Sequence, residues 1–155
     1  MPTKVGTVNR DWRDMAGYSG TPLTKKLGIK EGFRVSVVGA PERFREELVD
    51  LPRGVTFVTS VSSQLDLILF FVKSQSELTR NFSRLAAKLK PNGMLWIAWP
   101  KKASGVTADL ADYNVRQIGL DAGLVDVKVC AVNEVWSGLK FVIRVKDRPS
   151  ASKMG

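Results

Sequence analysis

The side chains able to do chemistry in this chain are few in kind. Its 155 residues include no histidine and one cysteine, Cys130. Ser-His-Asp and Cys-His relays are therefore excluded within the chain. A zinc site of the usual Cys/His kind lacks its ligands, and a single thiol forms no internal disulfide. What remains is lysine, arginine, carboxylates, hydroxyls and aromatic rings. Lys73, Lys101 and Lys102 each follow an apolar run. Ammonium groups there could neutralise an anion, although lysines at such positions also simply face water. Glu42 follows the turn Gly39-Ala40-Pro41 and falls in the first turn of an expected helix, where a carboxylate complements the dipole. The same helix start could instead receive an anion. Trp99 and Trp136 could stack on a planar ligand. For Trp99 core packing is the plainer reading, because aromatic rings bury large areas. Trp136 falls in a connection, where exposure would point to a ligand. Cys130 sits within a strand pattern and reads as an inert core residue.

The charge balance adds a second class of candidate. Lys and Arg number 24 against 15 Asp and Glu, a formal net charge of +9. That excess attracts nucleic acid or another polyanion; it is also what a solvated basic surface looks like. Arg80, Arg84 and Lys88 fall opposite Leu78, Phe82, Leu85 and Leu89 at helical spacing, and form a candidate polyanion face. No apolar run reaches the roughly 18 residues a membrane span needs, so no membrane partner is expected. The N-terminus lacks a signal-peptide hydrophobic region, which makes the cytoplasm the expected location.

The elements that must position these side chains can be taken in order. Residues 1–16 read as a flexible arm, 17–146 as a single α/β domain, and 147–155 as a disordered tail. Thr21 is a suitable N-cap, Pro22 a first helical residue and Gly28 a stop. Tyr18 and Ser19, just before, could pack or bind. Arg34–Gly39 reads as a first strand, and Pro41 to about Asp50 as a helix with Phe44 and Leu48 on its buried edge. Val55–Thr59 is a second strand, and Asp66–Lys73 a third. A helix from about Ser76 precedes a Pro91-Asn92-Gly93 reversal. The apolar run Met94–Trp99 then suits a strand covered on both faces. A helix from about Ala108 to Ala122, stopped by Gly123, leads to strands Val125–Val132 and Leu139–Lys146. The short link between these last two implies an antiparallel hairpin beside a mostly parallel sheet.

Three segments carry a resemblance. Leu89-Lys90-Pro91-Asn92-Gly93-Met94-Leu95-Trp96-Ile97 resembles the post-helix turn and strand of class I S-adenosylmethionine (SAM)-dependent methyltransferases. Gln64–Phe71 resembles their preceding acid-led strand, and Leu120–Val132 their last helix, Ala-Gly turn and strand. The resemblance implies a Rossmann-like six-stranded sheet of order 2-1-3-4-6-5, helices on both faces, and SAM as the cofactor. Ligands of such sheets sit outside the carboxyl ends of the strands, near the reversal of strand order. That edge would collect Gly39, Pro41, Glu42, Ser60, Lys73, Pro100, Lys101, Lys102, Asn133, Glu134 and Trp136. The chain departs from the family in its cofactor turn, Val38-Gly39-Ala40-Pro41-Glu42, which has one glycine and then a proline. The second strand ends Thr59-Ser60 rather than in an acid, and the link to Asp66 is too short for the usual intervening helix and strand. From Tyr18 the chain is also similar to a small bacterial family of unassigned activity that shares the opening Tyr-Ser-Gly-Thr-Pro-Leu.

These readings imply a trimmed methyltransferase-like domain that binds a small anionic ligand or a protein partner without catalysis. A divergent SAM-dependent methyltransferase and a basic nucleic-acid-associated protein are the alternatives.

Overall fold

The computed structural model describes residues 21–59 and 63–148. The expected N-terminal arm, Tyr18, Ser19 and Ser60 lie outside them, as does the tail from residue 149. Six strands form one sheet in the order β2-β1-β3-β4-β6-β5. They are β1 (Arg34–Val38), β2 (Thr56–Phe57), β3 (Leu65–Phe71), β4 (Leu89–Pro100), β5 (Leu124–Ala131) and β6 (Trp136–Ile143). The β2-β1-β3-β4 part is parallel. β6 pairs antiparallel with both β4 and β5. The expected order and the closing hairpin are both present.

β3 is buried along its whole length because both faces are covered. On one face lie α2 (Gln75–Ala86) and α3 (Asp112–Asp121). Leu78, Phe82 and Leu85 of α2 and Val115 of α3 pack there on Ile68, Phe70, Leu95, Ile97 and Phe141. α2 starts cleanly because the Ser74 side chain accepts from the Glu77 N–H at 3.1 Å, satisfying a donor that a helix start leaves open. α3 sits so close to the sheet at Gly119 that a Cβ there would overlap the Phe141 ring.

The other face is covered thinly, by α1 (Leu23–Leu27) and a single 3-10 turn, Phe44–Glu47. Leu27, Phe44 and Leu48 pack there on Val35, Leu69, Phe71 and Trp96. Trp96 is fully buried, and its indole Nε1 donates to the Leu27 carbonyl at 2.9 Å. The Thr24 hydroxyl donates to the Val49 carbonyl at 2.8 Å. These two bonds hold a helix too short to be stable alone.

Several boundaries differ from the sequence reading. The expected helix from Pro41 to Asp50 is reduced to the 3-10 turn. Arg43 and Asp50 bracket it with left-handed φ values of 68° and 55°, which a continuous α-helix cannot contain. Pro22 caps α1 with an extended ψ of 143° instead of entering it. α3 begins at Asp112, not Ala108, where the Asn114 side chain accepts from the Ala111 N–H at 2.8 Å. β2 is cut to two residues, and β6 begins at Trp136 and ends at Ile143, shifted from Leu139–Lys146.

Pro91-Asn92-Gly93 does not separate a helix from a strand. β4 already begins at Leu89, opposite Leu65, and Met94 pairs with Leu67. Three residues therefore loop out of a strand that is already running. Gly93 is required by proximity: a Cβ would come within 2.8 Å of the Leu65 carbonyl oxygen.

Candidate functional site at the strand ends

Parallel strands bring their carboxyl ends to one edge, and the order switches between β1 and β3. Gly39, immediately after β1, has φ +71°, and a Cβ there would stand 2.8 Å from the Phe71 carbonyl oxygen at the end of β3. The turn is thus packed directly against the neighbouring strand. Below it, Phe44 meets Phe71 edge-on at 4.7 Å between ring centroids, and Phe71 meets Trp136 at 5.0 Å. Three rings from three parts of the chain fill the space under the switch point on the thinly covered face.

The β5–β6 turn closes over the same edge. The Asn133 side-chain oxygen accepts from the Val135 and Trp136 N–H groups, each at 2.9 Å. Its amide nitrogen donates to Glu47 Oε1 at 3.0 Å, tying the hairpin turn to the 3-10 turn. Glu47 was not singled out by the sequence. It falls on the polar side of what reads as an ordinary helix, and only the folded chain brings it to Asn133.

Other expected members of the edge are placed as follows. Lys73 is exposed and its carbonyl accepts from the Asp109 N–H at 3.1 Å. The Lys101 N–H donates to the Val135 carbonyl at 2.7 Å, while Lys102 and Glu134 face solvent. Glu42 is exposed, but the helix whose first turn it was to occupy does not form. Its dipole role and the anion site at that helix start fall with the helix, because Arg43 turns the backbone left-handed directly after it. Trp136 belongs to β6, not to a connection, and is 7% exposed. It is a core ring, and a planar ligand cannot reach its face. Trp99, at 5%, is core on the opposite side.

Arg80 and Arg84 stand exposed on α2, with Arg84 donating to Asn81 at 2.8 Å. Lys88 is not on their helix. α2 ends at Ala86, and Lys88 lies half-buried in the turn into β4, its carbonyl accepting from the Leu65 N–H at 2.9 Å. The acid that leads β3, Asp66, is a structural residue at the far, amino end of the strand. It accepts from the Arg34 N–H at 2.8 Å and pairs with Lys90 at 3.2 Å. Cys130 is half-buried in β5, and burial raises its thiol above the ordinary value, which disfavours the reactive thiolate. A hollow of about 440 Å3, lined by Pro22, Lys25, Gly28, Glu31 and Asp50 among others, lies beside α1, away from the strand ends. No group of three or more acidic or cysteine side chains among the described residues could hold a metal ion. No helix among them is long and apolar enough to cross a membrane.

No family model matches the chain, and no curated protein does. Solved structures do. The chain is similar to a SAM-dependent methyltransferase from Aquifex aeolicus, at 16% identity and TM-score 0.54, over 77% of this chain and 86% of that one. It is similar to the magnesium protoporphyrin IX methyltransferase of Synechocystis PCC 6803 with bound SAM, at 12% identity and TM-score 0.52, over 78% and 74%. A methyltransferase from Pyrococcus furiosus matches at 13% identity and TM-score 0.50, over 77% and 78%. At such identities the likeness is one of fold. The chain has the Rossmann-like fold of class I SAM-dependent methyltransferases.

Proposed function

We propose that this chain is a methyltransferase-fold binding module without methyl-transfer activity. It takes an anionic ligand or a protein partner. The observation that supports this reading most directly is the filled switch point. Gly39 abuts the Phe71 carbonyl, Phe44 and Trp136 sandwich the Phe71 ring edge-on, and the Asn133–Glu47 bond ties the turns above them. A nucleotide-sized ligand at this edge needs open concave volume; the rings pack the sheet face directly beneath it, and the hollow beside α1 lies away from it. The ions left at the rim, Lys73, Lys101 and Lys102, suit an anionic group that docks from outside.

A divergent methyltransferase is the second reading, favoured by the bound SAM in a structure of the same fold. Calorimetric titration of nucleic-acid-free protein with SAM and S-adenosylhomocysteine separates the two. The module reading expects no heat and no thermal shift at millimolar ligand. Micromolar binding would overturn it and make Lys101 and Glu134 the first residues to substitute.

A further inference from the structure

The thinly covered face of the sheet carries a row of cations. The Trp96–Leu27 bond fixes the end of α1 over β4. Trp96 is in register with Lys140 of β6, and Lys140 with Lys128 of β5. Directly opposed residues of antiparallel strands share a face, with Cβ atoms about 4.5–5.5 Å apart. The Lys140 ammonium lies 5.9 Å from the centroid of the Trp96 ring. Lys26 and Lys30 flank the end of α1, so the row runs from the helix across β6 to the edge strand.

This arrangement opposes local stability. Like charges directly across a strand pair repel, and among the described residues no carboxylate forms an ion pair with Lys30, Lys128 or Lys140. The described ion pairs are Arg43–Glu46, Lys90–Asp66 and Arg116–Asp126. Burial, and then the Lys128 and Lys30 charges, hold Lys140 below the ordinary lysine value. Lys26, Lys128 and Lys140 all act on the Cys130 thiol, which places Lys26 by the same patch.

We propose that this lysine row is a docking surface for the phosphate backbone of a nucleic acid. Closely spaced point charges in a line match a polymer of regularly repeated phosphates. Trp96 is buried beneath Lys140, so the row has no ring on which a base could stack. It also has no arginine fork to read a base edge. Binding through phosphate contacts alone is indifferent to sequence, and the net charge of +9 steers the encounter. An acidic protein surface is a poorer fit, because protein interfaces favour arginine and aromatic residues over lysine. This surface works whether or not the strand ends hold a methyl donor.

The test is fluorescence anisotropy with mixed-sequence labelled 20-mers, single- and double-stranded, from 50 to 300 mM salt. The wild-type chain should bind at low salt, with affinity that falls steeply as salt rises. In the triple variant Lys30→Gln/Lys128→Gln/Lys140→Gln, affinity at 50 mM salt should fall at least tenfold. The slope of log affinity against log salt should flatten by about two to three, at 0.7 to 0.9 per phosphate lost. Lys128→Gln alone, at an exposed position, should flatten it by roughly one and covers the case in which the triple variant misfolds. Arg80→Gln/Arg84→Gln, on the opposite face, should bind within twofold of wild type. Three results would overturn the proposal: no binding at 50 mM salt, loss of binding in the Arg80/Arg84 variant with retention in the lysine variants, or binding to anionic phospholipid vesicles without binding to either nucleic acid.

Discussion

The two faces of the sheet solve the same problem differently. The α2–α3 face is covered by two full helices and closed chiefly by apolar packing, to the point that α3 has no room for a side chain at Gly119. The α1 face has five helical residues and one 3-10 turn. It compensates with specific polar bonds from Trp96 and Thr24, and leaves lysines beyond the reach of its helix. A sheet can therefore keep one face for stability and release the other for contact.

Substitutions can break this contrast. Gly119→Val forces a branched side chain into the Phe141 ring and should cost about 3 kcal/mol in urea unfolding. A cost under about 1 kcal/mol, the bottom of the overpacking range, would mean α3 is free to lift. Trp96→Phe removes the indole donor and leaves the buried Leu27 carbonyl without it; about 2 kcal/mol should be lost. On this reading α1 amides should also exchange hydrogen sooner than those of α2. Ser74→Ala deletes the α2 cap and should cost about 1 kcal/mol, without altering exchange in α1.

The smallest expected effect is electrostatic. A hydrogen bond from Arg116 at 2.8 Å holds the Asp126 carboxylate below its ordinary value of 3.8. A depressed folded value means the contribution is complete above pH 3.8 and is lost as pH falls through the folded value. The pair is partly exposed, which limits it to about 0.5 kcal/mol. Asp126→Asn should remove that increment at pH 7, and the difference from wild type should shrink as pH falls below 3.8, as measured by urea midpoints.

The covered strands were legible because burial on both faces writes unbroken apolar runs, as in Leu67–Phe71 and Met94–Trp99, and the hairpin because a short link dictates one; the strand order followed from the resemblance to class I methyltransferases. Local backbone strain was not. Arg43 gives no sign of a left-handed φ and Asp50 only a weak one, so Pro41–Asp50 reads as a helix. Pro91-Asn92-Gly93 contains every sign of a turn, yet the strand surrounds it. Topology alone placed Gly39, Lys73 and Lys101 just after the carboxyl ends of β1, β3 and β4, where the structure has them. The closure of that edge depends on Phe44, Glu47, Phe71, Asn133 and Trp136 meeting across distant sequence, which periodicity cannot reveal. Likewise Lys128 and Lys140 become neighbours only through strand register.

On one side the described sheet ends at β2. Any exposed margin presents unpaired backbone groups that can recruit a second chain and seed aggregation. Here that margin is β2, only two residues long, with Arg45 laid over the Phe57 ring at 3.5 Å. So short a ladder offers little template, and a charged group covers its aromatic residue. Lengthening β2, rather than weakening it, is the change that would put this chain at risk of self-association.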